Sequence, residues 1–224
     1  EVGPAAVVSH TCVQRQSLAA YHVARLHAHL ERDARFAALA LALGAALART
    51  ELEVVLAGEG AECALHGLYA AGGTQHTDNR TDVTHAQPHC TSNQLYKGVL
   101  GGKAHGVFNG KVLVAAGAQK TDAHQTNRNL LLSDGALADT NPQLEIYADD
   151  VRCTHGATIG QLDETAVFYL RSRGIGADAA RDILTHAFAR DAVANVQPPE
   201  LRVALEAWIG ERLGEIAASG EATP

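Results

Sequence analysis

Asp149-Asp150-Val151-Arg152-Cys153-Thr154-His155-Gly156-Ala157-Thr158, followed after a short break by Phe168-Tyr169-Leu170-Arg171-Ser172-Arg173-Gly174-Ile175, is where the chain changes period. The first part reads as a strand and the second as a helix. In an extended chain alternate side chains share a face, so Cys153 and His155 point the same way, about 7 Å apart along the strand. A thiolate and an imidazole so placed can share or pass an iron or zinc ion. The plain alternative is that Cys153 fills core space and His155 is a hydrogen-bonded surface group. A Cys-x-His unit supplies at most half of a tetrahedral site.

Working back toward the N-terminus, from about residue 20 to 160, the apolar residues fall in short runs such as Ala38-Leu39-Ala40-Leu41-Ala42-Leu43, Leu52-Glu53-Val54-Val55-Leu56 and Lys111-Val112-Leu113-Val114. These predict short strands. Gly58, Gly72-Gly73, Gly101-Gly102, Asn109-Gly110 and Asp134-Gly135 supply turn chemistry between them. Such a pattern closes as a sandwich, a barrel or a β-helix. Ala and Leu also form helices well, so residues 36 to 49 taken alone are ambiguous. The stretches 74–91 and 119–129 hold few apolar residues for a two-faced sandwich. Stacked coils, by contrast, carry polar residues on the outside and amide ladders at their corners, which favours the β-helix. No clean repeat is visible.

Working forward, Asp163 is placed to cap a helix running through Arg173, closed by Gly174. A second helix is expected over about Ala177 to Val196, with Ala180, Ile183, Leu184, Ala187 and Phe188 on one face. Pro199 suits the first turn of a third, bearing Leu201, Leu205, Trp208 and Leu213, and the tail after about Ile216 is expected to fray. The organisation predicted is a mainly β core over residues 1–160 and a small C-terminal α-helical subdomain over 161–224. The helices are expected to cover the open end of the coil, where exposed edges otherwise recruit other chains, with Phe168, Tyr169 and Trp208 as packing residues.

At 224 residues the chain is long enough for one sizeable core plus an appendage. A formal charge of -7 and a pI near 5.9, without a basic block, argue against a nucleic-acid or anionic-membrane surface. There is no apolar run of membrane-spanning length and no signal-peptide pattern. Cys12, Cys63, Cys90 and Cys153 are widely spaced and read as reduced thiols, which points to the cytoplasm. Met is absent and residue 1 is Glu, so translation is expected to begin upstream and the chain to be the C-terminal portion of a longer protein. No phosphate loop, Gly-x-Ser-x-Gly elbow or His-Glu-x-x-His helix appears. Asp149 and Asp150 point to opposite faces if extended, so they read as a turn rather than a glycan-cleaving pair. The pairs His27/His29 and His85/His89 lack a Cys or carboxylate at fixed spacing and read as solvated or hydrogen-bonded histidines.

The run Gln143 to Thr158 with Phe168 to Ile175 resembles the C-terminal part of the SufB/SufD family, scaffold components of the SUF iron–sulfur cluster assembly system. Gly58-Glu59-Gly60-Ala61-Glu62-Cys63, Thr91 to Leu100 and Gln125 to Leu132 resemble the same family, so the likeness spans most of residues 50 to 190. Gly156 after the histidine is similar to the SufD branch, since the SufB branch typically carries an acidic residue there. The resemblance implies a right-handed parallel β-helix core, no catalysis by this chain, and partnership with SufB and the SufC ATPase; a homodimer of the isolated chain is left open. It implies that Cys153 and His155 meet transient iron or a nascent cluster at the SufB–SufD interface, with no cofactor held tightly by this chain alone. It also implies that the helical region, with Phe168, Tyr169, Arg171 and Arg173, receives SufC. Two rivals remain: a SufB-like scaffold that holds the cluster itself, and a carbohydrate-active β-helix enzyme with carboxylates clustered along one face.

Overall fold

The computed structural model describes residues 1–220. Eleven strands come first: β1 (Val7–Gln14), β2 (Tyr21–Leu30), β3 (Arg35–Ala42), β4 (Leu47–Leu56), β5 (Glu62–Ala71), β6 (His76–His85), β7 (Thr91–Leu100), β8 (His105–Val114), β9 (Asp122–Leu131), β10 (Leu137–Ile146) and β11 (Arg152–Gly160). Helices α1 (Glu164–Arg171), α2 (Ala177–Arg190) and α3 (Pro199–Gly220) follow. Odd-numbered strands form one parallel sheet in the order β1-β3-β5-β7-β9-β11, and even-numbered strands form the other, β10-β8-β6-β4-β2. The chain is therefore a parallel β-helix of five coils and a final half coil. The repeat is hidden in the sequence because turns vary in length: the odd strands start 27 to 31 residues apart.

Inside the coils the two sheets differ from the sequence expectation in one respect. Only alternate residues of the polar tracts lie outside, among them Arg80, Asp82, His124 and Arg128. Thr77, Asn79 and Thr81 on β6, Gln94 on β7, and Gln125, Asn127 and Asn129 on β9 all point inward and are buried. Thr81, Gln94 and Gln125 bond to one another, as do Asn127 and Asn129, whereas Thr77 Oγ1 and Asn79 Nδ2 have no partner. The Tyr69 hydroxyl donates to Asn129 Oδ1 at 2.5 Å, Asn127 Nδ2 donates to the Tyr69 oxygen at 3.2 Å, and Asn129 Nδ2 donates to Asn127 Oδ1 at 2.7 Å. Space for the tyrosines comes from absent side chains. A Cβ on Gly67 would lie 2.2 Å from the Tyr96 ring, and one on Gly98 would lie 2.3 Å from that of Tyr69.

The helices also lie elsewhere than expected. They pack on the outer face of the odd sheet, and among the described residues none of them lies over an end of the coil. Leu39, Leu41, Leu43, Leu68, Ala70 and Val99 meet Ala189, Ala192, Val193, Leu205, Ile209, Leu213 and Ile216 in one apolar cluster. Two buried cations fasten the seam. Lys97, 3% exposed, donates to Phe188 O at 3.0 Å and pairs with Asp191 at 2.6 Å. Arg212 on α3, 5% exposed, donates to Ala70 O at 3.1 Å and to Gln75 Oε1.

Asp163 caps α1 by accepting from Thr165 N at 2.8 Å, and Gly174 has the left-handed φ of +85°. The second helix ends at Arg190, short of Val196, and passes into a single 3-10 turn over Asp191–Val193. Its buried side is Ala180, Thr185 and Ala189, whereas Ile183 and Ala187 are exposed. Residues 217–220, expected to fray, continue α3, and 221–224 lie outside the described residues. Among the described residues no helix is long and apolar enough to cross a membrane.

Candidate functional site

The last half coil decides what the molecule exposes. β11 pairs with β9 in parallel register, Cys153 over Ala123, His155 over Gln125, Ala157 over Asn127 and Ile159 over Asn129. Those β9 residues all face the interior and are buried. Cys153 and His155 therefore share the inward side, as the alternation predicts. No further strand of the described chain stacks on β11, so His155 is exposed although it faces inward. It makes no hydrogen bond among the described residues.

Cys153 is half-buried against the edge of the apolar interior. Burial pushes its thiol above the usual range, the Asp122 carboxylate adds to that, and the Ala123 backbone partly offsets it. On the opposite, outer side of the same edge, His124 approaches Asp122 at 2.9 Å and Thr154 Oγ1 at 2.7 Å. Among the described residues no three His, Cys, Asp or Glu side chains converge on a metal position. What this edge offers is two donors, one soft and one borderline, open to a neighbour that supplies others.

Gln125 is a residue that sequence reading does not single out. The amide is 2% exposed, Nε2 donates to Gln94 Oε1 at 3.4 Å, and Oε1 has no partner. The only available signal is the spacing of one coil, 30 residues, between Gln125 and His155, and it is readable only once the register is known.

The helical residues fall beside this edge. Phe168 and Tyr169 do not pack into the core as expected: they are 70% and 55% exposed, and Val167 is the buried residue of α1. Arg173 lies 4.6 Å over the Tyr169 ring and donates to its hydroxyl at 2.6 Å, while Arg171 is exposed. A groove of about 310 Å³ between the end of β11 and the helices is lined by Ile159, Leu162, Leu184 and Phe188. Apolar side chains of the helices thus adjoin the end of the edge strand.

The free face of the even sheet carries the carboxylates. Glu51, Glu53 and Asp82 line a groove of about 440 Å³ with Arg25, Arg80 and Lys111. Arg49 holds Glu51 below the usual carboxylate range, and Arg25 with His27 does the same for Glu53, whereas burial pushes Asp82 up. Acids and cations alternate across this face as an ion-paired ladder, with Arg25–Glu53 at 2.7 Å and Arg49–Asp78 at 3.4 Å.

Similarity to known proteins agrees with this architecture. Residues 1–188 match the family model described as SUF system FeS cluster assembly, SufBD core domain. The chain is 39% identical over 193 residues to the iron-sulfur cluster assembly protein SufD of Escherichia coli, covering 86% of this chain and 46% of that one. It is 40% identical over 210 residues to an iron-sulfur cluster assembly SufBD family protein of Mycobacterium tuberculosis, covering 90% and 53% respectively. A chloroplastic protein of Arabidopsis thaliana, ABCI7, is 30% identical over 198 residues, 88% of this chain and 42% of its own. The chain spans about half the length of these curated relatives.

Proposed function

The chain belongs to the SufBD family of the SUF iron–sulfur cluster assembly system, and from that premise we propose that it is the SufD-type scaffold subunit. In this reading it pairs edge to edge with SufB, receives the SufC ATPase on its helices, and helps to handle iron or a nascent cluster without catalysing a reaction itself. The observation that carries the reading is the placement of Cys153 and His155 on the inward side of an edge strand that no further coil covers.

The physical sequence is short. β11 presents unpaired backbone groups, and a partner strand laid against it continues the sheet and satisfies them. The partner's inward residues then stack on Cys153 and His155 at the ~4.8 Å spacing of neighbouring strands. Iron arriving as cargo takes an imidazole from His155, a thiolate from Cys153 after loss of its proton, and its remaining ligands from the partner. The same edge accepts a second copy of the chain when SufB is absent. Phe168 and Tyr169 supply apolar contact for SufC, and Arg171 and Arg173 supply charge. A cytoplasmic location follows from the same reading.

Co-purification of the full-length protein with SufB and SufC tests it, with His155→Ala beside the wild type and iron and acid-labile sulfide measured in each complex. The expected result is an intact complex in both and a severalfold loss of iron and sulfide in the variant. Unchanged content would reduce His155 to a structural residue, and a wild type that binds neither partner would sink the proposal.

A further inference from the structure

One inward column of the odd sheet runs Gln94 on β7, Gln125 on β9 and His155 on β11, residue over residue. The amides in it have a direction. Thr81 Oγ1 donates to Gln94 Oε1 at 2.7 Å, and Gln125 Nε2 donates to the same oxygen at 3.4 Å. Gln125 therefore spends its donor on the coil below and leaves Oε1 unpaired, although the side chain is buried. Its amide is also confined: a Cβ on Gly110 would lie 2.3 Å from Nε2, so the amide fills the space that glycine leaves. A buried carbonyl oxygen without a donor is destabilising. The next residue in the column is His155, which is exposed and makes no hydrogen bond among the described residues.

We infer, building on the role of His155 proposed above, that Gln125 is its positioning residue: Gln125 Oε1 accepts a ring N–H from His155, fixes the tautomer and turns the other ring nitrogen toward the partner and its iron. Register puts the two Cα atoms ~4.8 Å apart, within reach of each other by side-chain rotation alone. A neutral imidazole has one N–H and one lone pair, so a bond that engages the N–H decides which nitrogen is left to bind metal. Metal-binding histidines commonly have such an acceptor behind them, and its loss typically weakens metal binding about 10- to 100-fold.

The test uses the full-length protein labelled with ¹⁵N-histidine. Long-range ¹H–¹⁵N correlation reads the tautomer of His155, identified by the signal missing in His155→Asn. Gln125→Met keeps the length and removes the acceptor, and Gln125→Glu keeps an acceptor should the apolar variant fail to fold. The wild type and Gln125→Glu are expected to show one dominant tautomer, and Gln125→Met a mixture near that of free imidazole. Titration with ferrous iron alone is expected to weaken about tenfold or more in Gln125→Met and to recover in Gln125→Glu. An identical tautomer in the wild type and a folded Gln125→Met would overturn the inference, as would a wild type already at the free-imidazole mixture. Failure of the parent reading looks different: His155→Asn leaves iron loading of the complex unchanged while the tautomer still depends on residue 125.

Discussion

Gln94, Gln125 and His155 occupy the same inward position on three successive strands of one sheet, yet the first two are buried and the third is exposed. The difference lies in what is stacked above. In the covered coils a polar side chain can find partners only within the molecule: the Tyr69, Asn127 and Asn129 triad finds them, whereas His85 Nδ1 and Gln125 Oε1 do not. At β11 no further strand of the described residues completes the layer, so the same position faces outward from the stack.

The sharpest way to press on the covered side is acid. His85 is fully buried, with Nε2 at 2.8 Å from Ser92 Oγ and Nδ1 without a partner. Burial pushes its pKa down from 6.5 to about 4. The unfolded chain therefore binds the proton more readily than the folded one, and stability rises with pH across that interval. The contribution is complete above about pH 6.5 and is lost as pH falls toward 4, a difference of about 3 kcal/mol at most. Denaturant unfolding at several pH values should show this slope in the wild type and a flatter one in His85→Leu/Ser92→Ala, which removes the pair together. Parallel slopes in the two proteins would mean that the buried imidazole does not set the acid limit.

A smaller loss is expected within the amide network. Tyr69→Phe keeps the ring that fills the space above Gly98 and deletes only the hydroxyl, leaving Asn129 Oδ1 without its donor and Asn127 Nδ2 with Tyr96 O alone. Unpaired buried polar groups put the cost at about 2 kcal/mol, read from the unfolding midpoint. A shift under about 0.5 kcal/mol would mean that the covered coils tolerate unmet polar groups as readily as the edge does.

Part of this contrast was legible in the sequence. Period-two alternation placed Cys153 and His155 on one face, and the glycine turns kept the strands short. The Ala38 to Leu43 run, ambiguous with a helix, is apolar throughout because its strand is covered on both sides, by the interior and by α2 and α3. That signal pointed to helices on the sheet face rather than at the end of the coil. The tracts 74–91 and 119–129 pointed to the right fold but not to the inward place of half their side chains, because the partners lie far away in sequence: Asn127 and Asn129 bond Tyr69 from 58 and 60 residues off. Local periodicity carries no record of such a pairing, nor of Gln125 beneath His155.

The smallest effect is expected at the edge itself, and its smallness is the point. Side chains already in solvent lose little on truncation, so His155→Ala should leave stability within about 0.5 kcal/mol of the wild type. Cys153→Ser should cost little more, since the thiol is only half-buried. Cys63 and Cys90 are buried beneath neighbouring coils. Thiol labelling of the native protein should therefore modify Cys153 and half-buried Cys12 well before Cys63 or Cys90. If SufB covers β11, adding it should protect Cys153 and leave the labelling of Cys12 unchanged. Protection of both would place the partner across the first coil as well, and protection of neither would leave the edge open. The edge and the covered coils would then differ in exposure alone, and exposure would no longer argue for chemistry at His155.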